Sequence, residues 1–261
     1  MNLLQHASQY SRFLLTSVSP TGAEVPWLTG LLGGNHSSNG FDSHFQAIDG
    51  IRRSLSRNHT MISVTDYGAG PGATLSKQRK ISDIAGSSSR GRKFSLLHYN
   101  LIRHLHPQTI LELGTSFGFT TAVLAMGAPE ATVATIEGCS ATAAIAGETF
   151  KKLGLTNTRQ VVGPFDRELE TVLEQYRPLD YIFFDGNHRK TPTLNYFLKT
   201  LPYRSERAVF VFDDIRWSKP MTEAWEEITR HPDITLSVDL YSAGIIFFDP
   251  QLPGKHLKIR Y

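Results

Sequence analysis

From Thr109 to His231 the chain alternates short apolar runs with longer amphipathic ones, and this rhythm constrains the fold more than any other feature. Thr109–Leu113, Thr132–Ile136, Thr158–Val162, Tyr181–Phe184 and Ala208–Phe212 are short and rich in β-branched or aromatic residues, as buried strands are. Phe119–Met126, Ala141–Leu153, Glu168–Tyr176, Thr191–Leu201 and Met221–His231 follow them in turn and read as helices. Such alternation needs crossover connections, which predicts a parallel sheet with helices packed on it. The end breaks the rhythm. Ile234–Tyr241 and Ile245–Phe248 are joined by Ser242-Ala243-Gly244, too short a link for a crossover, so one of these strands runs antiparallel to its partner.

Within the alternation, TILELGTSFGFTTAVLA (109–125) is the stretch built for a ligand. A strand ends in Gly114-Thr115-Ser116-Phe117-Gly118, and a helix starts at once. Glycines let a ligand approach the backbone, and a helix start offers N–H groups with no partner inside the helix. Glu112 at the strand end repels a pyrophosphate and suits a cationic ligand. The spacing G-x-x-x-G also departs from the G-x-G-x-x-G of dinucleotide sites. A plain αβ turn is the other reading.

The first third of the chain follows a different pattern. Met1 to about Gly30 is amphipathic and helical, Gly33–Gly40 is a loop, and Phe41–Asn58 is a second helix with Phe45, Ile48, Ile51 and Leu55 on one face. Arg52, Arg53 and Arg57 fall on its wet side. Met61–Asp66 followed by Gly68, Gly70 and Gly72 imitates a strand and ligand turn, but neither an apolar helix nor a second strand is expected after it. Asp66–Arg92 therefore reads as a mobile polar segment, either a lid or a disordered link. Phe94–His106 is a helix that stops before Pro107.

Two further strand ends carry chemistry: Phe184-Asp185-Gly186-Asn187-His188 and Phe212-Asp213-Asp214-Ile215-Arg216-Trp217. In a doubly wound sheet both lie at carboxyl ends, where ligands bind. Two carboxylates about 4 Å apart repel by roughly 4 kcal/mol at an effective dielectric near 20. A divalent cation held by hard oxygen ligands relieves that cost; helix caps and loop hydrogen bonds are the bland alternative.

The order of elements from Phe94 to the C-terminus resembles the class I S-adenosylmethionine-dependent methyltransferases, within them the small-molecule O-methyltransferases of the metal-dependent catechol and caffeoyl-coenzyme A types and the macrolide-sugar type. The resemblance implies an α/β, Rossmann-like fold: a seven-stranded, mostly parallel sheet closed by an antiparallel hairpin. It splits the chain into a helical extension with a glycine-rich, lid-like segment (1–93) and a methyltransferase domain (94–261). Glu112-Leu-Gly114-Thr115-Ser116-Phe-Gly118 is similar to the family's first motif, where the acid meets the amino group of the methionine part. The resemblance further implies that Glu137, with Gly138 and Cys139 beside it, holds the ribose, that Gly163 and Phe165 border the adenine, and that Asp185 reaches the cofactor. Asp185, Asp213 and Asp214 match the family's cation ligands for Mg²⁺, Mn²⁺ or Ca²⁺, although catechol-type members carry Asp-Asn where this chain has Asp-Asp. His188 stands where the macrolide-sugar type has its general base, so Asp185 and His188 are the implied catalytic pair; an unperturbed imidazole pKa near 6.5 suits that role.

The expected activity is methyl transfer (EC 2.1.1.-) to a hydroxyl or carboxylate oxygen of a small molecule, acidic molecules among the candidates. Arg52, Arg53, Lys77, Arg79, Lys80, Arg90, Arg92, Arg216 and Lys219 are candidate clamps, and Trp217 and Tyr67 a candidate apolar wall. Metal-independent carboxyl or N-methyl transfer and a non-catalytic cofactor-binding module stay open. Nucleic acid is not the expected partner: a net charge of +3 is mild, and no Asn/Asp-Pro-Pro-Tyr/Phe signature follows the fourth strand. The 261 residues are 40% hydrophobic, with one cysteine, no membrane-length apolar run and no signal-peptide pattern, so a cytoplasmic protein without disulfides is expected. The N-terminal helices are a candidate surface for a homo-oligomer.

Overall fold

A computed structural model describes residues 3–22, 25–32, 40–67, 75–87 and 91–261. The chain opens with helices α1 (Leu3–Thr16), α2 (Pro26–Leu32) and α3 (Phe41–Leu55). Strands β1 (Met61–Asp66) and β2 (Leu75–Lys80) and helices α4 (Ile81–Ser87) and α5 (Arg92–Leu105) follow. The alternating part runs β3 (Thr109–Leu113), α6 (Phe119–Gly127), β4 (Thr132–Glu137), α7 (Ser140–Lys152), β5 (Thr158–Val162), α8 (Phe165–Tyr176), β6 (Leu179–Phe184), α9 (Lys190–Thr200), β7 (Arg204–Asp213) and α10 (Lys219–Ile228). Strands β8 (Leu236–Asp239), β9 (Ala243–Phe247) and β10 (Lys255–Lys258) close it. Among the described residues no helix is long and apolar enough to cross a membrane.

Contacts divide the chain into two compact units, one formed by Ser37–Tyr176 and the other by Met1–His36 with Arg177–Tyr261. In the first, β3, β4 and β5 run parallel, with Ile110 beside Val133 and Ile136 beside Val161. Nearly every side chain of β3 and β4 is buried, as in strands covered on both faces. Phe41 and Ile48 of α3, Ile81 and Ile84 of α4, Tyr99 of α5 and Phe119 and Val123 of α6 join one apolar cluster. Arg52 and Arg53 of α3 pair with Asp49 one turn away, on the outer face predicted for them.

The stretch after β1 corrects the sequence expectation. β2 pairs antiparallel with β1, from Met61 opposite Lys80 to Asp66 opposite Leu75, and α4 buries Ile81, Ile84 and Ala85. A hairpin needs only one apolar face. Ile62 and Val64 supply it from β1 and pack on the cluster, while Lys77–Lys80 stay exposed. Gly68, Gly70, Gly72 and Arg90 lie outside the described residues.

In the second unit β6 and β7 are parallel, β9 runs antiparallel to β7, and β8 antiparallel to β9, which is the terminal hairpin the short link demanded. β10 lies parallel to β8 at the sheet edge, one strand more than expected. Its sequence, KHLK, has no apolar run to announce it, and charged edge strands of this kind resist pairing with other chains. The helical N-terminus is shorter than its periodicity suggested. α1 ends at Thr16, Val18 bridges to Ile259, and the prolines at 20 and 26 start a single 3-10 turn and α2.

Candidate active site

β3 feeds directly into the turn Gly114–Gly118, whose backbone demands small residues. Gly114 and Gly118 have φ of 109° and 80°. A Cβ on Gly118 would stand 2.4 Å from Cε1 of Phe150, so both the conformation and the space exclude a side chain. Ser116 is left-handed too, with φ 48°. Non-glycine residues bear such strain mainly at functional turns. Gly118 is the N-cap of α6, and no side chain caps that helix start.

Behind the turn Glu112 is fully buried. Its Oε2 accepts hydrogen bonds from the hydroxyls of Thr121 and Thr135, the latter at 2.6 Å, and Thr135 in turn meets the hydroxyl of Thr115. Oε1 is equally buried and has no hydrogen-bond partner among the described residues. Burial pushes the pKa of Glu112 up to about 7; the two threonines pull it down, and the charge of Glu137 adds to the rise. A buried carboxylate with half its acceptors unused is an expensive group, and an arriving cationic donor removes the cost.

Glu137 ends β4 and braces the turn. Its Oε2 accepts from the backbone N–H of Ser116 at 2.7 Å, and its Oε1 from that of Cys139 at 2.9 Å. Burial raises its pKa against these bonds. The side chain of Thr142 hydrogen-bonds to the same carboxylate, so three of its acceptor sites are used and one stays open to a ligand hydroxyl. Cys139 is buried as the N-cap of α7; Gly163, at the end of β5, donates its N–H to the carbonyl of Glu137; and Phe165 opens α8, half-buried. Of the predicted cofactor residues, Glu112, Gly114, Thr115, Ser116, Gly118, Glu137, Gly138, Cys139, Gly163 and Phe165 fall at the ends of β3, β4 and β5, while Asp185 follows β6.

The other unit gathers an imidazole and two acids. His188 Nε2 lies 3.7 Å from Asp185 Oδ1 and 3.9 Å from Asp214 Oδ2, and all three side chains are partly exposed. Asn187 and Asp214, flanking His188 in this cluster, have φ of 55° and 54°. Asn and Asp are the residues best able to hold that left-handed conformation. Behind His188 a cavity of about 10 Å³, lined by Thr193, Tyr196, Phe212, Asp213 and Met221, has room for one water molecule.

Residues 111–215 match the family model described as "Methyltransferase domain". That stretch is a methyltransferase domain running from β3 to the loop after β7. Its fold is that of the O-methyltransferase TomG from Streptomyces achromogenes, involved in tomaymycin synthesis and solved with SAM: 21% identity over 62% of this chain and 82% of that one, TM-score 0.54. An O-methyltransferase from Bacillus cereus in complex with SAH matches at 19% identity over 79% of this chain and 90% of that one, TM-score 0.55. The SAH-bound methyltransferase PaMTH1 from Podospora anserina matches at 17% identity over 78% and 96%, TM-score 0.55. No curated protein matches the chain.

Two of the sequence expectations meet this geometry. Among the described residues no three His, Cys, Asp or Glu side chains gather to hold a metal ion. Asp213 Oδ1 accepts the N–H of Asp214, and an imidazole stands near both Asp185 and Asp214. Arg216 is no clamp for an acidic acceptor either. Its guanidinium grips Asp239 through two bonds of 2.6 and 2.5 Å and donates to the carbonyl of Tyr241. The rings of Phe13 and Tyr241 lie within 5.4 Å of it. Asp239, the partner sequence reasoning missed, is 23 residues on and carries no local signal.

Proposed function

We propose that this methyltransferase moves the methyl group of S-adenosylmethionine to an oxygen of a small molecule, with His188 taking the acceptor's proton. The observation that carries this reading is the imidazole of His188 beside the carboxylates of Asp185 and Asp214 at two strand ends. The donor, when bound, supplies an electrophilic methyl on a positively charged sulfur.

The turn after β3 suits that donor. The unpartnered Oε1 of Glu112 fits an ammonium, and the remaining acceptor site of Glu137 fits a ribose hydroxyl. On the acceptor side a hydroxyl gives its proton to His188 Nε2 as the oxygen takes the methyl. The imidazolium so formed is favoured by two carboxylates within 4 Å. Such a base typically contributes about 10²–10⁴ in rate. Trp217, largely exposed, donates its backbone N–H to Asp214 and offers an apolar wall on the same loop. The proton transfer to His188 needs no metal ion; assistance by a divalent cation at Asp185, Asp213 and Asp214 is the alternative that chelation tests. The acid pair also favours a second reading, an N-methyltransferase whose cationic amine acceptor sits between Asp185 and Asp214.

The test is methyl transfer from labelled S-adenosylmethionine to a panel of phenols, sugars, hydroxy acids and amines, with S-adenosylhomocysteine affinity measured alongside. His188→Ala is expected to lower kcat on a hydroxyl acceptor by about 10²–10⁴ while leaving that affinity within about twofold. Activity is expected to survive EDTA. A loss restored by Mg²⁺ would replace the imidazole mechanism with a metal-assisted one, and turnover of amines alone would select the second reading.

A further inference from the structure

The exposed ring of Tyr67 stands just past the end of β1, against the loop that follows Glu137. A Cβ built on Gly138 would fall 2.6 Å from Cδ2 of Tyr67 and 3.1 Å from Cε2, so the ring lies flush on the backbone of residue 138. Gly138 has no positive φ, so the close approach of the ring accounts for the glycine. The rest of β1 is tied to the same loop. Thr65 donates its N–H to Cys139 Sγ at 3.4 Å, and Cys139 Sγ–H reaches the carbonyl of Ser63 at 3.8 Å. Gly138 and Cys139 are thereby tied to β1 and the residue that follows it, one through an aromatic ring and the other through its thiol.

An aromatic ring that is 42% exposed gives up hydrophobic burial unless something covers it. Tyr67 rests on the residue that follows the acid suited to the ribose hydroxyls. A planar, apolar heterocycle attached to that ribose has an aromatic platform ready beside it. We propose that Tyr67 is a cofactor-contacting residue that stacks on the adenine of the methyl donor, and that the β1–β2 hairpin exists in part to deliver it. This rests on the donor site assigned above. Gly138 then has a defined purpose, which is to remove the one side chain that would hold the ring off the loop.

The experiment is calorimetric titration of the full chain with S-adenosylhomocysteine and, separately, with 5′-methylthioadenosine, which keeps the adenosine and lacks the amino-acid part. Tyr67→Ala is expected to weaken both by about tenfold, the scale of one base–aromatic stack. Tyr67→Phe should bind within about twofold of the parent, because the face and not the hydroxyl is used. Glu112→Gln provides the contrast: it should weaken S-adenosylhomocysteine and leave 5′-methylthioadenosine nearly unchanged. Equal affinity of Tyr67→Ala and the parent overturns the stacking assignment, as does tighter binding, which would make Tyr67 an obstruction. Absence of binding by the parent chain instead overturns the donor site itself.

Discussion

Glu112 and Asp239 are two buried carboxylates at opposite extremes of satisfaction. Asp239 has both oxygens on the guanidinium of Arg216 and also accepts the N–H of Tyr241 at 2.8 Å. Glu112 has two hydroxyls on one oxygen and, among the described residues, no hydrogen-bond partner on the other. Asp239 holds a loop in place, and its charge is matched within the chain. Glu112 waits for its counter-charge, and the protein carries the cost. A buried acid fully matched by its own chain serves the scaffold; one left half-matched is the one whose cost a cationic ligand would relieve.

The largest effect expected from breaking this comparison is on the matched side. Arg216→Met removes the guanidinium and leaves Asp239 charged and buried. Breaking a buried pair from one end typically costs about 3–5 kcal/mol. Here the loss also takes the cation from between the rings of Phe13 and Tyr241, so α1 should loosen with it. Urea unfolding should show the loss in full. The double variant Arg216→Met with Asp239→Leu should recover most of it, because the charge is then gone as well. If the single variant unfolds like the parent, the pair is not the anchor described.

On the unmatched side the sign reverses. The carboxyl of Glu112 titrates near 7 in the folded chain and near its ordinary 4.5 when unfolded. The folded state therefore holds its proton more tightly, and stability is lost as pH rises from about 4.5 to about 7. That shift corresponds to about 3 kcal/mol. Glu112→Gln removes the charge and keeps an acceptor for Thr121 and Thr135, but it buries an amide N–H₂ without a partner. The net expectation is a gain of about 2 kcal/mol at pH 8 and none at pH 5, read by urea unfolding without ligand. Affinity for S-adenosylmethionine should fall in the same protein. A variant less stable than the parent at pH 8 would mean that Glu112 is as well matched as Asp239.

These contrasts also show what the sequence could carry. The glycine turn, the strand-end acids and the terminal hairpin were legible because each depends on neighbours in the chain: a β-branched run, a tight turn, a link too short for a crossover. β2 and β10 were not, since LSKQRK and KHLK have no apolar periodicity and gain their strand state from a partner. The arrangement of the acids was hidden for a related reason. Spacing puts Asp185, Asp213 and Asp214 at strand ends, but it does not say that Asp213 turns to its neighbour's N–H or that His188 lies near the other two. Arg216 reads locally as a basic residue beside two acids, and its true partner is set by tertiary packing. The ring of Tyr67 over Gly138 joins residues 71 positions apart, and a lone glycine after an acid gives no hint of it.

The smallest effect refines the unmatched side. Thr135 is fully buried and donates to Glu112 while meeting the hydroxyl of Thr115. Thr135→Val keeps the shape and deletes both contacts. A hydrogen bond to a charged group is worth about 1.5–3 kcal/mol and one to a neutral group about 1. The variant should therefore lose about 1 kcal/mol more at pH 8, where Glu112 is ionised, than at pH 5, where it is not. The same deletion removes one of the two bonds that pull the Glu112 pKa down, so the falling limb of stability against pH should move upward. A saturating dose of S-adenosylhomocysteine should narrow the gap between variant and parent at pH 8, because an ammonium at Oε1 stabilises the carboxylate in both. A loss independent of pH would show that Thr135 serves packing alone, and that Glu112 owes its unusual titration to burial without help from the hydroxyls around it.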